Sequence, residues 1–91
     1  MNCEIRDGIL HLDGEITVKT VHGNAYRRFE QLSGGDIKAV DLSAVNRADS
    51  ACLSLLFSVL RRNGSRPELR HIPPAVADLA ELYEVREWIT P

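Results

Sequence analysis

The sequence predicts an α/β fold in which helices pack against a mixed β-sheet. Near the N-terminus, residues 3–6 and 9–13 alternate apolar and polar side chains, a pattern typical of strands. Farther along, short apolar runs alternate with segments whose apolar residues recur at helical spacing. Strands that alternate with helices after an initial hairpin imply a mixed sheet covered by helices. The predicted order is β-β-α-β-α-β-α, with a possible terminal strand.

The first half of the chain is predicted to form a hairpin followed by a helix. Asp7-Gly8 separates the first two strands and is a strong signal for a tight hairpin turn. Gly14-Glu15 is predicted to end the second strand, and Thr17 to cap a helix over residues 17–32. Ser33-Gly34-Gly35-Asp36 then breaks that helix. The apolar residues at helical spacing are Val18, Val21, Ala25, Phe29 and Leu32.

The centre of the chain is predicted to form a strand, a turn and a second helix. The apolar run Ile37 to Leu42 is typical of a strand buried on both faces, and Ser43 to Ala48 is predicted as a polar turn. Asp49-Ser50 marks the helix start, because a side-chain oxygen there can accept from the free backbone N–H groups. Gly64 is predicted to close the helix. Its apolar stripe comprises Cys52, Leu53, Leu56, Phe57, Val59 and Leu60.

The last third predicts a strand over residues 68–72 and a helix over 75–83. Pro73-Pro74 separates them, and proline suits the first turn of a helix because its missing N–H would be unpaired there anyway. Residues 85–89 form a short tail, a possible last strand, with Trp88 as a docking anchor. The predicted buried face of the helix comprises Val76, Leu79, Ala80 and Tyr83.

The central segment carries the pattern D-L-S-x-V-x-x-x-D-S-x-x-L, from Asp41 to Leu53. This pattern resembles the signature of STAS domains. A second likeness, Pro74-Ala75-Val76 followed by Leu79 to Tyr83, is similar to the third helix of the STAS subunits of lipid-transport ABC systems. The resemblance covers nearly the full length and implies a single STAS domain over residues 1–91.

Three positions of the motif favour one branch of this family. In the anti-sigma factor antagonists the motif is Asp-Ser-Ser-Gly-Leu, and its second serine is phosphorylated. Here that place is Ala51, which has no hydroxyl, and the glycine place is Cys52. Ser50 matches the threonine or serine of the lipid-transport branch. The resemblance therefore implies a non-catalytic subunit of a bacterial Mla-type phospholipid-transport ABC transporter, docking on its cytoplasmic ATPase subunit. The alternative is an anti-sigma factor antagonist that binds an anti-sigma factor serine kinase.

The contact surface is expected around the entrance to the second helix, with the first helix beside it. Ser50 is either a simple helix-start residue, worth about 1 kcal/mol, or the contact point of a docking surface. Asp49 has the same two interpretations, helix cap or partner-facing acid. A helix N-terminus presents N–H groups and a positive dipole end, and small residues there let a partner approach closely. The expected partner-binding residues are Asn46, Arg47, Asp49, Ser50, Ala51 and Ser54.

Other functional classes have little support. The net charge of −2 and pI of about 5.9 give no electrostatic footprint for nucleic acid. The three histidines lack metal-ligand spacing, and no glycine-rich phosphate loop follows a strand, so neither cofactor nor metal is expected. A ligand-binding or enzymatic domain that uses Cys52 or the histidines remains an alternative, although cysteine on an apolar stripe is usually a core residue.

The cellular setting is expected to be cytoplasmic. Two cysteines do not make a disulfide framework of the kind that small secreted domains use. The first residues show no basic region followed by an apolar run, so no signal peptide is expected. No stretch approaches the ~18 apolar residues of a membrane span. The sequence thus predicts a protein that is peripheral at the inner membrane through its partner.

Overall fold

The computed structural model describes residues 1–63 and 66–89 and confirms the predicted order of elements. Gly64, predicted to close the second helix, lies outside the described residues. The elements are β1 (Asn2–Arg6), β2 (Ile9–Ile16), α1 (Gly23–Ser33), β3 (Ala39–Ala48), α2 (Ser50–Arg62), β4 (Glu68–Arg70), α3 (Pro74–Leu82) and a 3-10 turn, Arg86–Trp88.

The strands form one mixed sheet in the order β1-β2-β3-β4. The hairpin partners β1 and β2 are antiparallel, whereas β3 runs parallel to both β2 and β4. The predicted hairpin turn is confirmed: Asp7 and Gly8 have φ angles of 53° and 79°. Two consecutive positive φ angles are characteristic of the hairpin turn whose twist matches that of the strands.

A continuous core joins one face of the sheet to the helices. Leu10 and Val40 are directly paired in the sheet and fully buried, and they share one cluster with Phe29 of α1, Leu56 of α2 and Val76 of α3. Side chains alternate across a strand, so the neighbouring residues point to the other face. One row there crosses all four strands and is polar: Glu4, His11, Asp41 and Arg70. The result is a two-layer arrangement of helices on a sheet.

The first helix begins six residues later than predicted. Residues 17–22 form a turn instead, and Val18, predicted to lie on the buried face, is 69% exposed. Gly23 has a φ of 59°, in the left-handed region, which interrupts a right-handed helix. Thr17 is therefore not a helix cap; its hydroxyl binds the carboxylate of Glu15 at 2.7 Å.

The second and third strands are longer than predicted. Gly14-Glu15 does not end β2, which continues to Ile16, and the expected polar turn over 43–48 is the second half of β3. These two segments pair with each other in parallel, with register shifts on either side of Asp13 and Gly14. The polar residues of this half of β3 mislead the prediction. Because β4 pairs only with residues 39–41, the far end of β3 is an open edge of the sheet, where polar side chains are exposed.

The C-terminal third departs from the prediction in three places. Strand β4 stops at Arg70 rather than Ile72, because His71 has a φ of 58° that ends the extended backbone. Tyr83 does not face the core; it follows the last residue of α3 and is 54% exposed. The possible last strand is a 3-10 turn, since Glu84 has a φ of 60° and the N–H of Val85 returns to the carbonyl of Ala80 at 2.8 Å.

Candidate partner-docking site

Asp49 fixes the start of α2 and is the cap that the sequence predicts. Its Oδ1 accepts from the backbone N–H of Ala51 at 2.8 Å, which satisfies one of the free donors of the first turn. Its own backbone N–H donates to the carbonyl of Ile16 at 3.3 Å. The helix therefore begins directly at the end of the β2–β3 ribbon, and Ser50 is its first residue.

The same carboxylate positions the turn that precedes α1. Oδ2 of Asp49 accepts from the backbone N–H of Val18 at 3.2 Å. Within this turn, the Thr20 hydroxyl accepts from the Thr17 N–H at 3.0 Å and donates to the Glu15 carbonyl at 2.8 Å. Local side-chain bonds of this kind compete with helix formation, which explains the late start of α1. They also hold an exposed valine next to the N-terminus of α2.

Helix α2 presents a polar ridge to solvent. Ser50, Ser54 and Arg61 are exposed, and at about 100° per residue they lie within about 40° of one another around the helix. At 1.5 Å per residue, the distance along the axis from Ser50 to Arg61 is about 16 Å, or three turns. We call the residues Ser50, Ser54 and Arg61 the α2 ridge.

An open groove of about 460 Å³ runs between the α2 ridge and α1. Four small residues of α2, three serines and Ala51, line one side of it, and the opposite side is largely apolar and includes the exposed Val18. Small side chains permit a close approach by a helix or a backbone, while the apolar side offers surface that becomes buried on binding. The groove is lined by Val18, Val21, Tyr26, Ser50, Ala51, Ser54, Leu55, Ser58 and Arg61.

The structure brings together three of the six predicted contact residues. Ser50, Ala51 and Ser54 line the groove, and Asp49 stands behind it as the cap. Asn46 and Arg47 are exposed, but they lie on β3 rather than in a turn and are not among the residues that line the groove.

Several lining residues are absent from the sequence prediction. Ser58 and Arg61 are two and three turns from Ser50 along the same helix, so helical spacing alone could have indicated them. Tyr26 and Val18 could not be found in this way, because their place depends on the turn before α1, where the spacing of apolar residues predicts helix instead.

Cys52 is a core residue, as the apolar stripe predicts. Its side chain is 0% exposed, and burial, with a smaller contribution from the charge of Asp49, raises the pKa of its thiol to about 12. A thiol with this pKa holds almost no thiolate at neutral pH, and the thiolate is the nucleophile. These findings argue against the alternative in which Cys52 reacts with a substrate.

The described residues also lack the groupings expected of a metal centre or a membrane span. Within 1–63 and 66–89, no cluster of three or more His, Cys, Asp or Glu side chains is placed to hold a metal ion. In the same ranges, every helix is too short or too polar to cross a membrane.

Comparison with known proteins identifies the family. A family model described as "Mlab, STAS domain" matches residues 4–91, which is almost the whole sequence. A comparison with curated proteins finds no match. The family includes Mla-type subunits and anti-sigma factor antagonists, and its domains are generally non-catalytic modules of protein interaction. The match and the α/β fold together show that this chain belongs to the STAS domain family.

Proposed function

We propose that this protein is the STAS subunit of a bacterial Mla-type phospholipid-transport ABC transporter. In this role it docks on the cytoplasmic ATPase subunit, supports that subunit's assembly and activity, and is held at the inner membrane through it. The description of the matching family model supports this choice of branch.

The observation that carries the proposal is the exposed start of α2 beside the α1–α2 groove. Ser50 is the first residue of the helix and its hydroxyl is exposed, because Asp49 rather than Ser50 serves as the cap. A cap would have its side chain occupied by the backbone, whereas the Ser50 side chain faces solvent at the edge of the groove. This exposure supports a partner-contacting role for the motif residue that matches the lipid-transport branch.

Ala51 argues against the signalling alternative. It occupies the place that is phosphorylated in the antagonists, and it has no oxygen to accept a phosphate. Phosphorylation at this position would add nearly two negative charges at the helix start. A constitutive docking surface needs no such group, and a methyl side chain at this position leaves room for a close approach.

The test is binding of the purified protein to the ATPase subunit of the lipid-transport system from the same organism. Ser50→Arg should abolish binding, because a long charged side chain at the edge of the groove prevents close approach. Ser43→Arg is the matched control: it makes the same change at an exposed serine of β3, about 20 Å of extended chain before Asp49. Circular dichroism and thermal unfolding establish that both variants are folded.

Two results would contradict the proposal. The first is failure of the wild-type protein to bind the ATPase subunit. The second is binding by a folded Ser50→Arg variant with the affinity of the wild type. Capture of an anti-sigma factor kinase by the wild-type protein, in place of the ATPase subunit, would assign it to the signalling branch.

A further inference from the structure

A second groove lies on the other side of α2, against the C-terminal segment. Its volume is about 670 Å³, larger than that of the α1–α2 groove. Apolar side chains from α2 and from residues 85–88 form most of its wall, and two arginines stand at its edge. Its lining includes Phe57, Leu60, Val85 and Trp88, with Arg61 and Arg66.

Trp88 is held in place by the fold while its indole ring stays accessible. Its ring meets that of Phe57 edge to face, with 6.2 Å between centroids and 73° between planes. Nη2 of Arg66 donates to the Trp88 carbonyl at 3.0 Å. The side chain is nevertheless 56% exposed. Rigid, half-exposed tryptophans are typical anchor points of protein interfaces, because burying them on binding requires little further ordering.

The charge at the edge of this groove is positive. Arg61 and Arg66 line it, and none of the described residues that line it carries a carboxylate. Arg66 is occupied by Trp88 and shares an adjoining depression with Glu87. Arg61 is exposed and, unlike Arg62, which pairs with Glu30 at 3.1 Å, makes no ion pair with the part of the chain that the structure describes. Arg61 is thus the cation available to a partner's carboxylate.

The two grooves lie on opposite sides of the α2 ridge and share two of its residues. Ser54 and Arg61 line both of them, so a partner lying along the ridge contacts both sides of the helix. We infer that the partner docked on α2 places an apolar side chain against Trp88 and Phe57 and a neighbouring carboxylate on Arg61. This inference rests on the proposed function, since it assigns the second groove to the ATPase subunit that docks at Ser50.

The single tryptophan of the chain gives a direct measurement. Protein labelled with 5-fluorotryptophan has one ¹⁹F resonance, that of Trp88, even when the ATPase subunit contains tryptophans of its own. Addition of the unlabelled ATPase subunit should shift this resonance in the wild-type protein. It should leave the resonance unchanged in Ser50→Arg, in which docking is lost.

Charge reversal at Arg61 tests the inferred contact between this residue and a carboxylate of the partner. Arg61→Glu should weaken binding at least tenfold and lower the dependence of affinity on salt. Arg6→Glu is the matched control, since Arg6 is an exposed arginine of β1, and its affinity should be that of the wild type.

The outcomes separate this inference from the proposed function. Binding that Ser50→Arg abolishes, but that neither shifts the Trp88 resonance nor responds to Arg61→Glu, overturns the inference and leaves the proposed function standing. Absence of binding by the wild-type protein overturns both. The inference holds if the Trp88 resonance shifts and if affinity falls tenfold in Arg61→Glu but not in Arg6→Glu. The second groove then belongs to the interface.

Discussion

The carboxylate of Asp49 joins Val18 to the first turn of α2. One oxygen accepts from the Val18 N–H at 3.2 Å and the other from the Ala51 N–H at 2.8 Å. Val18 lies 31 positions before Asp49, so one side chain connects segments that are distant in the sequence. Asp49 thereby holds Val18, on one side of the α1–α2 groove, next to the helix start that forms the other side.

Asp49→Ala should therefore cost more than the loss of an ordinary helix cap. Removing a cap costs about 1 kcal/mol, and the second hydrogen bond adds about 1 kcal/mol, so we expect a loss of about 2 kcal/mol in the free energy of unfolding. Urea unfolding measures it, with Asp78→Ala on the exposed face of α3 as control. Amide hydrogen exchange should accelerate at both Val18 and Ala51; acceleration at Ala51 alone would show that Asp49 does not hold the turn before α1.

At the other end of α2, the side chain of Asn63 also connects segments that are distant in the sequence. It is 7% exposed, and its amide nitrogen donates to the carbonyls of Ser33 and Val59 at 3.1 and 3.0 Å. Its Oδ1 accepts from the Ile37 N–H at 3.4 Å. This side chain thus connects the end of α1, the end of α2 and the segment that leads into β3.

Asn63→Ala should lower the free energy of unfolding by about 2 to 3 kcal/mol, because it leaves buried backbone groups without their partner. Asn63→Asp keeps the acceptor for Ile37 but loses both donors, so it should be at least as destabilising. Urea unfolding of the two variants measures this. Stability of either variant within about 0.5 kcal/mol of the wild type would contradict the role assigned to the side chain.

Periodicity and turn chemistry predict most of the fold. The Asp7-Gly8 turn and the Asp49 cap are local signals, since each depends on residues adjacent in sequence, and the structure confirms both. The element order and most of the core follow from the same kind of evidence. The start of α2, and with it the position of Ser50, is therefore predictable from the amino-acid sequence alone.

The sequence predictions are wrong where contacts with distant parts of the chain, rather than the local sequence, determine the secondary structure. Residues 43–48 are polar enough for a turn, yet they form a strand because β2 continues alongside them. Residues 17–22 have helical spacing, yet the backbone N–H groups of Thr17 and Val18 donate to the Thr20 hydroxyl and the Asp49 carboxylate instead. The α1–α2 groove depends on residues 17–22, and the second groove depends on the turn at Trp88. Sequence patterns therefore predict the α2 ridge but not the surfaces on either side of it.

Cys52 should resist thiol reagents in the folded protein. Full burial blocks access, and at pH 7.4 a pKa of about 12 lowers the thiolate fraction about a thousandfold relative to the ordinary value of 9.0. We expect labelling with iodoacetamide to follow global unfolding, with rapid reaction only in denaturant. Mass spectrometry of peptides distinguishes Cys52 from Cys3, which is also buried. Rapid labelling of Cys52 in native buffer would restore the case for a reactive thiol.

Asp41 should contribute stability that depends on pH. Its pKa is lowered, first by the hydrogen bond from the Ser43 N–H at 2.8 Å and to a smaller extent by His71 and His11. Because the folded-state pKa lies below the unfolded value of about 3.9, the folded state binds fewer protons in this range. The contribution is complete above pH 5 and is lost as the pH falls through the folded pKa.

Asp41→Asn removes this titration but keeps an oxygen that can accept from Ser43. We therefore expect the variant to be less stable than the wild type by about 1 kcal/mol at pH 6, with the difference shrinking toward zero as the pH falls through the folded-state pKa of Asp41. Urea unfolding at intervals between pH 2.5 and 7 measures the two curves, and Asp78→Asn supplies a matched loss of one exposed carboxylate. A difference between wild type and Asp41→Asn that stays constant over the whole range would mean that the charge of Asp41 adds nothing to its hydrogen bond with the Ser43 N–H.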